Sequence, residues 1–266
     1  GMVRAPWLGW GPYLWADGLI PRSDGLIYRC TDFQTDGTHP NTEARQKVSN
    51  MLLRFLKTDK TAAPWFTNDA YAPTTAPQAK LLADGNAVSL SGMAVTMGAG
   101  VVPAVVYVEA TGRESGIRVL GDTTAAERSF VNVAGVLLTS PDDERYIDAS
   151  GITSAPDGVF PEPLAMTNLV LGGAGFGLQE GIAGSVFLNN IGLLVTTWGR
   201  VTSIDLGAFR ITDGSNVDIT VIVPTGVSVP DGNSYVLVTG ISSCRKDVDG
   251  LHRLALVRKQ SDIVEY

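Results

Sequence analysis

Cysteine, histidine and basic runs are all scarce in this chain. Its two cysteines, Cys30 and Cys244, could pair only if the fold brought them together. No metal or redox spacing accompanies them, so two free thiols are expected. The two histidines, His39 and His252, have neither matching cysteines nor a clustered carboxylate set, and no metal site is expected. No apolar run reaches the roughly 18 residues that a bilayer span needs. The first residues lack a basic segment followed by an apolar core, so no signal peptide is read. Nor is any segment basic. Lys plus Arg against Asp plus Glu number 8 to 7 in residues 1–78, 5 to 12 in residues 79–187 and 7 to 8 in residues 188–266, for a formal charge of −7. An acidic middle repels phosphates, which argues for no nucleic acid as partner.

What is there reads as glycine-punctuated and β-rich. The chain has 266 residues, 44% of them apolar, and 30 glycines. Residues 2–40 hold turn signals at Gly11-Pro12, Asp17-Gly18 and Asp24-Gly25, and three tryptophans, Trp7, Trp10 and Trp15, that need a surface to pack against. From Asn41 the pattern changes. Ala44, Val48, Met51, Leu52 and Phe55 recur at helical spacing, which predicts a helix capped by Asn41 or Thr42 and running to about Lys57. Residues 58–78 hold several Pro, Thr and Ala and read as a linker.

The remainder repeats itself. Residues 87–96 resemble 193–202, and 105–112 resemble 208–214. Residues 116–120 parallel 218–222, and 130–135 parallel 235–240. Each copy then turns through a polar loop, 140–144 or 245–250, into a last strand. Five strands in one order, with a glycine inside a long first strand (Gly92, Gly199), predict an OB-like antiparallel barrel, because closure removes exposed edges. Residues 151–190, with Gly172 to Gly177, read as a connection that is partly ordered at best.

Asp36-Gly37-Thr38-His39-Pro40-Asn41 lies at the mouth of the predicted helix. A carboxylate three residues ahead of an imidazole can fix its tautomer for work as a general base. The plainer reading is a shaped turn. This block resembles the last conserved block of SGNH (GDSL-type) hydrolases. The stretches Trp10-Gly11-Pro12-Tyr13-Leu14-Trp15, Asp32-Phe33-Gln34 and Pro64-Trp65-Phe66 extend the likeness over residues 2–66. The resemblance implies that Asp36 is the orienting acid and His39 the base. The nucleophile block and the oxyanion-hole residues of that family would precede residue 2, and no Gly-Asp-Ser occurs anywhere. Half a triad lacks the groups that lower the barrier most. The expectation is a truncated or trimmed hydrolase with no esterase activity of its own.

Other candidates are weaker. His252 reads as a solvent-facing or cross-strand side chain, Asp142-Asp143-Glu144 as a solvated turn, and Asp247-Val248-Asp249-Gly250 as a hairpin turn rather than a calcium loop. The glycine run 172–177 lacks the Lys-Ser/Thr of a phosphate loop and reads as flexible linker. The barrels offer few aromatics for stacking: Tyr107, Phe130, Trp198, Phe209 and Tyr235.

The fold expected is mainly β: two tandem OB-like barrels behind a short helical remnant of an α/β SGNH domain. The divisions are 1–66 (remnant), 67–78 (linker), 79–150 (first barrel), 151–187 (connection) and 188–266 (second barrel). The function expected is a non-catalytic accessory module contacting carbohydrate or protein. The alternative is an esterase acting on acylated carbohydrate once a serine is supplied. No cofactor and no membrane span are expected. Self-association through the N-terminal remnant would cover its apolar helix face. By resemblance to modules of bacterial secreted proteins, the parent is expected to be exported.

Overall fold

The computed structural model describes residues 10–66 and 74–266. Trp7 and residues 67–73 of the expected linker lie outside the described residues. The chain divides into two units, Gly1–Ala70 and Tyr71–Tyr266.

In the first unit, helix α1 spans Thr42–Thr58 and α2 spans Ala63–Phe66. Asn41 caps α1: its Oδ1 accepts from the backbone N–H of Glu43 and Ala44 at 2.9 and 3.2 Å. Lys57 sits in the last turn, where a cation complements the helix's negative end. The apolar stripe is only partly covered. Ala44 is buried, Val48, Met51 and Phe55 are half-buried, and Leu52 is exposed. Trp10 and Trp15 are 95% and 62% exposed, so neither finds the packing surface it was expected to need. Residues 10–29 hold no helix or strand; Arg22 Nη1 holds that loop through the carbonyls of Tyr13 and Trp15 instead. No parallel sheet is present among the described residues of this unit, so the α/β part of the expected architecture is unsupported.

In the second unit, helix α3 spans Ala76–Leu81, so part of the expected linker is helical. The local reason is a capping box at Thr75 and Gln78, with Pro77 in the first turn. Ala76 and Ala79 then enter the core of the first barrel.

That barrel is closed in the order β1 (Ala87–Val102), β2 (Val105–Glu109), β3 (Gly116–Leu120), β5 (Arg145–Ser154) and β4 (Phe130–Thr139). All pairs are antiparallel except β3 with β5. This is the five-stranded OB-like arrangement, and the fold is mainly β. β1 bends at a bulge between Leu90 and Met93, where Gly92 takes φ +64°, a backbone region that costs other residues strain. The core gathers Val88, Leu90, Val95, Val106, Val108, Ile117, Val133 and Ile147 from alternate positions.

After β6 (Leu164–Ala165), the remaining strands are β7 (Leu194–Asp205), β8 (Ala208–Thr212), β9 (Asp218–Ile222), β10 (Tyr235–Asp247), β11 (Gly250–Leu256) and β12 (Ile263–Glu265). The order β7-β8-β9-β11-β10 returns to β7 through the β10–β7 pairing, again with one parallel pair, β9 with β11. Each repeated segment of the sequence therefore occupies the same strand position in its own ring. The expected loop at 245–250 is shorter than predicted, because β10 continues to Asp247 before the turn.

The connection between the rings is built, not loose. Asn168 is buried, donating to Ile211 O and Val217 O and accepting from Thr197 Oγ1 at 2.9 Å. Asn190 Oδ1 accepts from Gly172 N at 2.7 Å and from Ser242 Oγ at 2.7 Å. These two amides do the work of a missing strand ladder, so Gly172 to Gly177 is no flexible linker. The rings touch where Gly116 meets Gly192: a Cβ on Gly116 would lie 2.1 Å from Gly192 O. A shared cluster of Met97, Val105, Tyr107, Leu194 and Ile241 seals the contact.

Candidate functional site

Asp36 and His39 do come together. His39 Nδ1 lies 2.6 Å from Asp36 Oδ2, and Asp36 Oδ1 accepts from the backbone N–H of Thr38 and His39. Those backbone donors, and then the imidazole, hold the Asp36 carboxyl below its usual range. The side chains are exposed, 48% for Asp36 and 72% for His39. Among the described residues no hydroxyl bonds the other nitrogen of the ring. A cavity of about 660 Å³ in this unit is lined by residues such as Tyr13, Arg22, Lys47, Met51 and Phe55, and by neither member of the pair. The arrangement can orient an imidazole; it presents no nucleophile to it.

Polar groups missed in the sequence cluster where the rings meet. Glu144, expected in a solvated turn, is buried: Tyr107 Oη donates to it at 2.9 and 3.0 Å and Ser243 Oγ at 3.0 Å. Burial raises the Glu144 carboxyl and the Tyr107 phenol. Glu109 Oε2 accepts from Leu194 N at 2.7 Å, and its Oε1 has no partner among the described residues. Burial pushes Glu109 up to about 7. Lys80 is wholly buried, and that burial lowers it to about 8. Both cysteines are free thiols, Cys30 exposed and Cys244 buried, the latter raised by burial. His252 is a cross-strand side chain opposite Arg245, with Nε2 2.8 Å from Asp247 Oδ1. No group of His, Cys, Asp and Glu able to hold a metal occurs among the described residues.

OB-type barrels present ligands with the face of their second and third strands and the adjoining loops. In the first ring that face is spent: β2 is buried on both sides and contributes Val105 and Tyr107 to the inter-ring cluster. In the second ring it is open. A groove of about 650 Å³ runs over Arg210 of β8, Thr220 of β9 and Arg245 of β10, beside the Leu206-Gly207 turn. Arg210 and Arg245 are both exposed. Among the described residues neither guanidinium has a carboxylate within ion-pair distance, although Asp205 lines the same groove. No aromatic side chain lines it. Sequence reasoning missed these two arginines because net charge was averaged over whole segments.

No family model matches the chain, and no curated protein matches it. Solved structures of similar build include a murine DNA-binding protein bound with double-stranded DNA, at 8% identity and TM-score 0.36, covering 68% of this chain and 96% of that one. A second is the Ifi202 HINa domain in complex with 20-bp double-stranded DNA, at 9% identity and TM-score 0.32, covering 65% and 93%. A third is p202 HIN1 with 12-mer double-stranded DNA, at 11% identity and TM-score 0.32, covering 64% and 88%. None of the three is an SGNH hydrolase. These neighbours are DNA complexes, so two expectations are corrected: the exclusion of nucleic acid, and the reading as a carbohydrate-directed accessory module or esterase. Likeness at this level locates no site in this chain.

Proposed function

We propose that the chain binds duplex DNA through backbone phosphates, using the groove of the second ring. The observation that carries this reading is the pair Arg210 and Arg245. They lie on the face where OB-type barrels take ligands, open to solvent, with no carboxylate among the described residues claiming either. Guanidinium forks match phosphate oxygens in geometry and charge. The groove lacks an aromatic platform, so stacking of unpaired bases has no support in it. Phosphate contacts position a duplex without reading its sequence, and the binding is expected to be indifferent to sequence. The acidic excess of residues 79–187 keeps it weak and confined to low salt.

In this reading residues 1–66 are an SGNH-like segment, 67–78 link it onward, and residues 79–150 and 188–266 are the two barrels joined by 151–187. Asp36 and His39 are then an acid–base pair with no partner hydroxyl among the described residues. Fluorescence anisotropy of a labelled 20-bp duplex tests the DNA reading. Binding at 50 mM salt that disappears in the double variant Arg210→Ala, Arg245→Ala supports it. No binding by the parent chain, or equal binding by the double variant, overturns it.

A further inference from the structure

A second cavity, unrelated to the DNA groove, lies beside the junction of the two rings. It measures about 550 Å³, within the range of small-molecule pockets. Its wall is largely apolar, with Leu164, Met166, Val170, Phe176, Phe187 and Leu188, and Lys80 stands among them. The ammonium of Lys80 is deeply buried, yet its hydrogen-bond partners are neutral: Ile191 O at 2.6 Å and Asn189 Oδ1 at 3.3 Å. An ammonium has three donors and a charge, and burying it without a counter-charge is costly. Glu144 acts on Lys80 through space but shares no hydrogen bond with it among the described residues, being committed to Tyr107 and Ser243. Arg113 and Glu114 stand on the same wall, the former donating to Glu162 O at 3.2 Å. Phe176, Phe187 and Leu188 remain 39%, 36% and 90% exposed around the cavity, an apolar rim without cover.

We propose that this cavity binds a small amphiphile, its carboxylate on Lys80 and its apolar tail against Met166, Phe176 and Phe187. The carboxylate supplies the third acceptor and a directly bonded negative charge, and the tail covers the rim. Decanoate and decanol separate head-group recognition from simple greasiness. The experiment uses the full chain with 13C-methyl methionine, followed by NMR and calorimetry. Decanoate is expected to shift the Met166 methyl and leave that of Met51, which lines the separate cavity of the first unit. Decanol is expected to bind about tenfold more weakly, since a charge-assisted contact is lost. Lys80→Met should erase that preference, and the exposed-rim variant Phe187→Ser should weaken decanoate without touching the fold. An unmoved Met166 signal, equal binding of acid and alcohol, or full decanoate affinity in Phe187→Ser overturns the proposal, whether or not Lys80→Met folds. So does a dimer that Phe187→Ser converts to monomer, which would seat a second copy on the rim.

Discussion

Salt dependence gives the sharpest test of the groove. Two arginines with no carboxylate partner among the described residues line it, so about two phosphates are neutralised on binding. For a duplex that sets the slope of log K against log salt at about −1.8, from about −0.9 per phosphate. Between 50 and 200 mM salt the affinity should then fall about 12-fold. Arg210→Ala or Arg245→Ala removes one contact each, leaving a slope of about −0.9 and a fall of about 3.5-fold. Lys259 serves as control: it is already paired with Glu127 at 2.9 Å, and Lys259→Ala should leave the slope in place. Anisotropy titrations at four salt concentrations, with sequence-scrambled duplexes, measure all of this. A slope steeper than about −4 in the parent chain would mean many more contacts than this groove offers. A slope unchanged in both arginine variants would place the DNA elsewhere. Either outcome refutes the reasoning.

Three further outcomes follow from the geometry. Glu109 is held protonated up to about 7, whereas its ordinary value is 4.5, so the unfolded chain loses this proton first. Its contribution to stability therefore falls as pH rises from 4.5 towards about 7 and is flat above. Glu109→Gln keeps the oxygen that accepts from Leu194 N but cannot ionise, so thermal melts should show its advantage over the parent growing through that window; parallel curves contradict this. Gly116→Ala places a methyl 2.1 Å from Gly192 O, a backbone atom that cannot step aside, and chemical denaturation should show a loss of about 2–3 kcal/mol or more. For the Asp36–His39 pair, p-nitrophenyl acetate should be turned over no faster than by buffer, with or without His39→Ala; saturable turnover that vanishes with His39 would show a hidden nucleophile.

The helix and the rings were legible because their signals are local or periodic. Apolar spacing and Asn41 marked α1 almost to the residue, and the two rows of matching segments marked the five strands of each ring, though not the parallel pair that closes each. The Asp36–His39 contact was legible too, since the four residues of one turn suffice to build it. Residues 76–81 were misread because composition suggested a linker while the Thr75–Gln78 cap and burial of Ala76 and Ala79 made a helix. The tryptophans were misread because a need for burial does not provide a surface. Glu144 looked solvated among its acidic neighbours, and only the second ring's Ser243, 99 residues later, revealed it as an acceptor in a buried network.

Taken alone, the order of residues determined the strands, their repetition and the acid–imidazole turn, because each depends on contacts a few residues apart or on a period along the chain. Tertiary structure decided which ring keeps an open face, that Arg210 and Arg245 share it, and that Lys80 lines a cavity while bonded only to neutral oxygens. Those facts depend on which surfaces exclude water from which, and partners more than thirty residues apart leave no pattern in a one-dimensional string.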